Sequence, residues 1–167
     1  ASQPENGHNP ARAISKLIID IPELTAREDH RGIVMATVVC VRIGEEAFGT
    51  NAGFGQLMLT IRAEFESELD ALDAEICARA RAYARQDGIT NVEVQYRDSF
   101  PETRNTPDAV AAVRKARLEC GLPEARWDEP FRSSEDFGCY TKLTSGALFY
   151  IGCGTRHAKL HTREYDF

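Results

Sequence analysis

At 167 residues, 43% hydrophobic and 28% charged, the chain suffices for one domain, or a small domain and part of a second, and its balance argues against disorder. Its net charge of -6 argues against a phosphate-binding surface, since the nearest basic stripe, Arg79, Arg81 and Arg85, is interleaved with acids and reads as a solvated helix face. No secretory leader or membrane-length apolar run is legible, and the five cysteines (Cys40, Cys77, Cys120, Cys139, Cys153) lack a CxxC pair, which points to mostly reduced, buried thiols in a cytoplasmic protein.

Asn9-Pro10 predicts a helix start, with Asn capping free N–H groups and Pro at the first helical position. Ala13, Ile14, Leu17, Ile18 and Ile21 then recur at helical spacing, and Pro22 is expected to end the helix. Val34 to Ile43, rich in Val, Ile and Thr, reads as a long strand. A glycine-punctuated loop containing Asn51 leads to a second strand, Phe54 to Ile61, with Leu57, Leu59 and Ile61 on one face. Ser67 and Asp70 mark the start of a second helix whose stripe is Leu69, Leu72, Ile76, Ala80 and Tyr83, capped at Gly88. Val92, Val94 and Tyr96 alternate as a short third strand.

Residues 9–97 thus read α-β-β-α-β, an α+β two-layer module of the ferredoxin-like, split βαβ type whose first strand would lie before Ala1. Beyond a polar connector, Thr106-Pro107-Asp108 opens a third helix with Val110 and Val113 inside and Gly121 at its end. Ala147 to Ile151 is an unalternating apolar run, suited to a strand buried on both faces, and a loop with Gly152, Gly154, His157 and His161 follows. This later part resembles a piece of an α/β domain. The opening at Ala1 without Met and the stop at Phe167 suggest part of a longer protein.

Two constellations could carry chemistry. His157 and His161 have the H-x-x-x-H spacing that on a helix would aim both imidazoles at one metal; in a loop, an incidental pair is the competing reading. Glu135 and Asp136 beside Phe137 could bind a metal or act as acid and base, or could be surface acids at a helix start. No serine sits in a nucleophile elbow, and no cysteine has an assignable base.

Ser2-Gln3-Pro4-Glu5-Asn6-Gly7 followed by Asn9-Pro10-Ala11 is similar to an "H-A-x-x-P-x-x-G-x-N-P" segment, and Thr60-Ile61-Arg62 to a "T-x-R" strand end. Ser134-Glu135-Asp136-Phe137, Gly146, Tyr150-Ile151-Gly152, Leu160-His161-Thr162 and Tyr165-Asp166-Phe167 follow in the matching order. Together they resemble the C-terminal half of the metal-dependent amidohydrolases of the aminoacylase, carboxypeptidase G and hippurate hydrolase family. The resemblance implies that residues 1–98 are a lid and dimerisation domain and 99–167 the C-terminal part of a catalytic α/β domain.

The implied activity is hydrolysis of an amide bond in an N-acyl amino acid or related small amide by metal-activated water, with zinc, manganese, cobalt or nickel as the metal. Of the family's metal ligands, His161 alone maps onto this chain, and none of its catalytic groups does, so the chain by itself is expected to be inactive and to bind no metal tightly. Arg62 corresponds to the lid arginine that grips a substrate carboxylate, a task suited to a guanidinium fork, with a surface salt bridge at a strand end as the competing reading. Asn51 corresponds to the lid asparagine, spaced closer to the arginine than is usual. The implied partners are a small amide substrate and a second copy of the lid, with no nucleic acid or membrane. The alternative is a non-catalytic α+β module for dimerisation or small-molecule binding.

Overall fold

The computed structural model describes residues 2–125, 127–152, 154, 156–159 and 161–166. The fold is α+β, with two units: Ala1–Glu102 with Asp128–Ser134, and Thr103–Trp127 with Glu135–Phe167.

In the first unit, a short 3-10 turn (Pro4–Asn6) precedes α1 (Ala11–Thr25). Asn9 Oδ1 accepts from the Ala11 N–H at 2.9 Å, but the cap position itself falls on Pro10, one residue later than expected. The helix passes through Pro22 instead of stopping there. Proline removes one donor and crowds the preceding turn, yet the extra turn buries Leu24 to 3% exposure, and the Thr25 hydroxyl donates to the Ile21 carbonyl. Packing of that leucine outweighs the local penalty.

Strands β1 (Val34–Ile43) and β2 (Gly55–Ala63) pair antiparallel. The register slips between Val38 and Cys40, so Val39 is a bulged residue. The bulge resets the alternation: Val38 stands opposite Leu59 and Val41 opposite Leu57, although the two valines are an odd number of positions apart. Gly55 suits a close approach, because a Cβ there would lie 2.8 Å from Cγ of the rigid Pro10 ring.

Helix α2 (Glu66–Gln86) ends at Gly88, whose φ of +71° suits the left-handed C-terminal turn. Leu17, Leu24, Val34, Leu72 and Ile76 form the core, with Ala36, Leu57, Leu59, Ile61, Ala63, Ala80 and Tyr83 packed on it. Each such aliphatic side chain contributes about 1.5–3 kcal/mol of burial free energy.

The expected third strand at Val92 to Tyr96 does not form a ladder; among the described residues the sheet has two strands. Val92 and Val94 are half-buried while Glu93 and Gln95 are exposed, but the expected alternation fails at Tyr96, which is exposed. Instead of a strand edge, Tyr96 meets a helix: its hydroxyl donates to Asp73 Oδ2 at 2.8 Å.

In the second unit, α3 (Pro107–Glu119) begins and ends where its cap signals place it, at Thr106 and near Gly121 (φ +67°). Val110 and Val113, expected inside, are only half-buried, and α3 holds no buried residue. A four-residue helix, α4 (Gly138–Thr141), follows. Ala147 to Ile151 is not a strand, and Phe149, Tyr150 and Ile151 are 55%, 55% and 79% exposed. A strand buried on both faces needs neighbours on both sides. Here its nearest equivalent is one side chain: Asn105 Nδ2 donates to the Leu148 carbonyl and Oδ1 accepts from the Leu148 N–H, both at 2.8 Å.

The cysteine expectation needs correction as well. Cys77 is buried and Cys40 half-buried, but Cys120 and Cys139 are exposed; Cys153 lies outside the described residues. Among the described residues, no helix is long and apolar enough to cross a membrane.

Candidate functional site

Arg62 lies near the end of β2, opposite Met35. Its Nη1 donates to the Arg132 carbonyl at 3.1 Å and to Ser134 Oγ at 2.6 Å, both in the first unit. This holds the guanidinium by one nitrogen, and the Nε/Nη2 edge of the fork could receive a carboxylate in bidentate fashion.

Asn51 lies in the loop joining β1 to β2, at the opposite end of the hairpin from Arg62. Strand rise puts roughly 23 Å between Gly55 and Arg62, so the chain does not bring the two expected substrate-binding residues together. Asn51 is instead engaged with the N-terminal segment. Its Oδ1 accepts from Asn9 Nδ2 at 2.9 Å, and its Nδ2 donates to the Pro4 carbonyl at 3.3 Å. It packs so closely over Gly7 that a Cβ there would lie 2.0 Å from Asn51 Nδ2.

His161 belongs to the second unit and adopts a φ of +65°, a left-handed conformation uncommon outside glycine. The segment around it is a series of turns, with the Thr162 N–H donating to the Lys159 carbonyl at 3.1 Å. His157 turns one nitrogen inward: its Nδ1 donates to the Ala158 carbonyl at 2.8 Å. The H-x-x-x-H pair is therefore not on a helix, so helical stacking does not align the two rings. Leu160, within the same motif, lies outside the described residues. Glu135 and Asp136 are exposed just before α4, where the Asp136 carbonyl accepts from the Cys139 N–H. That is the helix-start reading of the acidic pair.

Among the described residues, no three His, Cys, Asp or Glu side chains converge on a point that could hold a metal. His161 could be one ligand of a metal whose other ligands lie elsewhere. These residues do not make a metal site themselves, and no catalytic step is assigned to them.

Two polar clusters have no local sequence signal, because their members lie far apart in the chain. Asp20 on α1 accepts from Tyr83 Oη at 2.5 Å and Arg79 Nη1 at 2.9 Å, both on α2. The tyrosine hydrogen bond, then the arginine, hold the Asp20 carboxyl below its ordinary pKa against the opposing effect of burial. The second cluster joins His30, Glu68 and the Leu24 carbonyl beside a cavity of about 220 Å³ that Arg27, Asp29 and Glu75 also line.

No protein-family model matches the chain, and no solved structure does. The chain is similar to a protein of Staphylococcus haemolyticus (strain JCSC1435) named as an uncharacterized hydrolase. The two are 25% identical over 171 residues, covering 98% of this chain and 44% of the relative, so the chain spans less than half of that protein's length.

Proposed function

We propose that this chain is the lid and C-terminal catalytic segment of a hydrolase that cleaves an amide bond in an N-acyl amino acid or related small amide. The observation that carries the proposal is the similarity to a hydrolase along 98% of the chain. The ordered amidohydrolase-like motifs from Ser2 to Asp166 add the reaction class. In this reading Arg62 holds the substrate carboxylate and His161 is one metal ligand. Asn51, tied to Asn9 and Pro4 at the far end of the hairpin, would meet substrate only in a different conformation or from a second copy. The remaining ligands and the general base would come from another part of a longer polypeptide, and the metal would polarise the amide and activate water.

The test uses that longer protein. His161→Ala is expected to remove most turnover of N-acyl amino acids and to lower bound metal by elemental analysis, because an apolar side chain cannot replace imidazole donation. His157→Ala should cost far less. Full metal loading and near-normal kcat in His161→Ala would remove the ligand assignment. Absence of hydrolysis in the intact protein, with retained small-molecule binding, would favour the non-catalytic module.

We further propose that the first unit self-associates. Supporting this are Val39, Val41 and Met58 on the hairpin, 63%, 40% and 37% exposed, and the unpaired backbone that edge strands present. Sedimentation at tens of micromolar should give a dimer mass; a monomer would contradict it.

A further inference from the structure

We infer that His30 is a proton-dependent fastener joining the connection between α1 and β1 to the start of α2. The ring nitrogens carry the argument. Nε2 lies 2.7 Å from the Leu24 carbonyl oxygen, and Nδ1 lies 3.0 Å from Glu68 Oε2. Both partners accept hydrogen bonds. A neutral imidazole has one N–H, so it would turn a lone pair toward one of the two acceptors; the imidazolium donates to both. The side chains of His30 and Glu68 are 13% and 20% exposed, which limits the replacement of either bond by water.

The other nearby charges are smaller influences, Asp29 favouring the charged form of His30 and Arg31 that of Glu68, and they have partners of their own. Within the connection, Arg27 pairs with Asp29 at 2.5 Å, and Arg31 stacks over Phe65 at 3.8 Å from the ring centroid. Glu28 is exposed. From α2, Glu75 lines the same cavity but accepts from Arg79 at 2.7 Å. Between β2 and α2, Glu64 Oε2 accepts from the Ile33 N–H at 3.2 Å. From α1, Leu24 alone lines the cavity, and Glu23 is exposed. Glu68 is therefore the carboxylate directly bonded to His30.

The Leu24 carbonyl, then Glu68, raise the His30 pKa above its ordinary 6.5 against burial, and His30 in turn lowers that of Glu68. For a group with a raised folded-state pKa, the stabilisation is fully present below the ordinary value. It is lost as pH rises through the folded-state pKa. The connection loosened by that loss leads into Val34 and Met35, at the same end of the hairpin as Arg62.

The experiment is an NMR titration of the His30 Hε1 resonance in this chain, with hydrogen exchange of the amides at 27–33 on either side of the midpoint. The midpoint is expected above the ordinary histidine value, and in Glu68→Gln it should move down toward it. Protection in the connection, corrected for intrinsic exchange, should fall about two- to five-fold across the titration, the scale of a partly exposed ion pair. In His30→Gln the protection should not depend on pH over that interval. A wild-type midpoint at or below the ordinary value, or protection that does not follow it, overturns the inference. The wild-type and Glu68→Gln titrations decide the matter even if His30→Gln does not fold.

Discussion

Helices α1 and α2 in the first unit bury Leu17, Ile21, Leu24, Leu72 and Ile76, whereas α3 in the second unit buries nothing. All three have legible sequence patterns, and all three form. Their supports differ. In the first unit, apolar side chains from two helices and two strands meet in a shared core. In the second, the contacts around α3 are polar. Thr106 Oγ1 lies 2.6 Å from Ser145 Oγ, the Ser145 hydroxyl donates to Asp108, and Arg117 pairs with Glu124 at 3.2 Å. An isolated helix of α3's length is marginal in water, because nucleation is costly and each added residue contributes little. Start and stop signals thus place a helix, while burial determines how firmly it is held.

The largest expected effect is Leu72→Ala, which removes a side chain only 3% exposed. It should destabilise the first unit by about 2–5 kcal/mol in urea unfolding, the range for core leucine truncations. A loss below about 1 kcal/mol would mean that the core is not what holds this unit.

An intermediate effect is expected for Asp20→Asn, about 1–3 kcal/mol at neutral pH, because it weakens hydrogen bonds to a charged acceptor joining α1 to α2. The folded-state pKa of Asp20 is lowered, so its contribution is present above the ordinary carboxylate value and is lost as pH falls through the folded-state value. The gap between wild type and variant should therefore close in acid. A gap that is constant with pH would assign the loss to packing instead of charge.

The smallest effect belongs to the second unit. Leu118 on α3 is 66% exposed, and Leu118→Ala should alter stability by no more than about 0.5 kcal/mol in the same measurement. A loss comparable with that of Leu72→Ala would erase the distinction between the units.

Much of the first unit was legible because its signals are local. The helix start at Asn9-Pro10, the stripe through Leu17 and Ile21, the strand from Val34 to Ile43 and the glycine cap at Gly88 depend on residues a few positions apart. Where the reading went astray, a distant contact decided the outcome: Leu24 carries α1 past Pro22, and Tyr96 joins Asp73 on α2 where a strand was expected. The candidate site shows the same division. The sequence singles out Arg62, Asn51 and His161 as residues of suitable chemistry, and the hairpin register then sets Arg62 and the loop holding Asn51 at opposite ends of the hairpin. The fastener at His30 and Glu68 and the cluster at Asp20, Arg79 and Tyr83 had no sequence signal at all.

Composition and periodicity by themselves determined that the chain is α+β and which faces of α1, α2 and β2 turn inward, because these follow from side-chain spacing along one element. Only the tertiary structure decided which strands find a partner, which bulge realigns Val41 with Leu57, and which acids and bases meet across 38 to 63 residues of sequence. Those outcomes depend on hydrogen-bond edges and charges brought together by the packed core, and the spacing of residues along one helix or strand does not encode them.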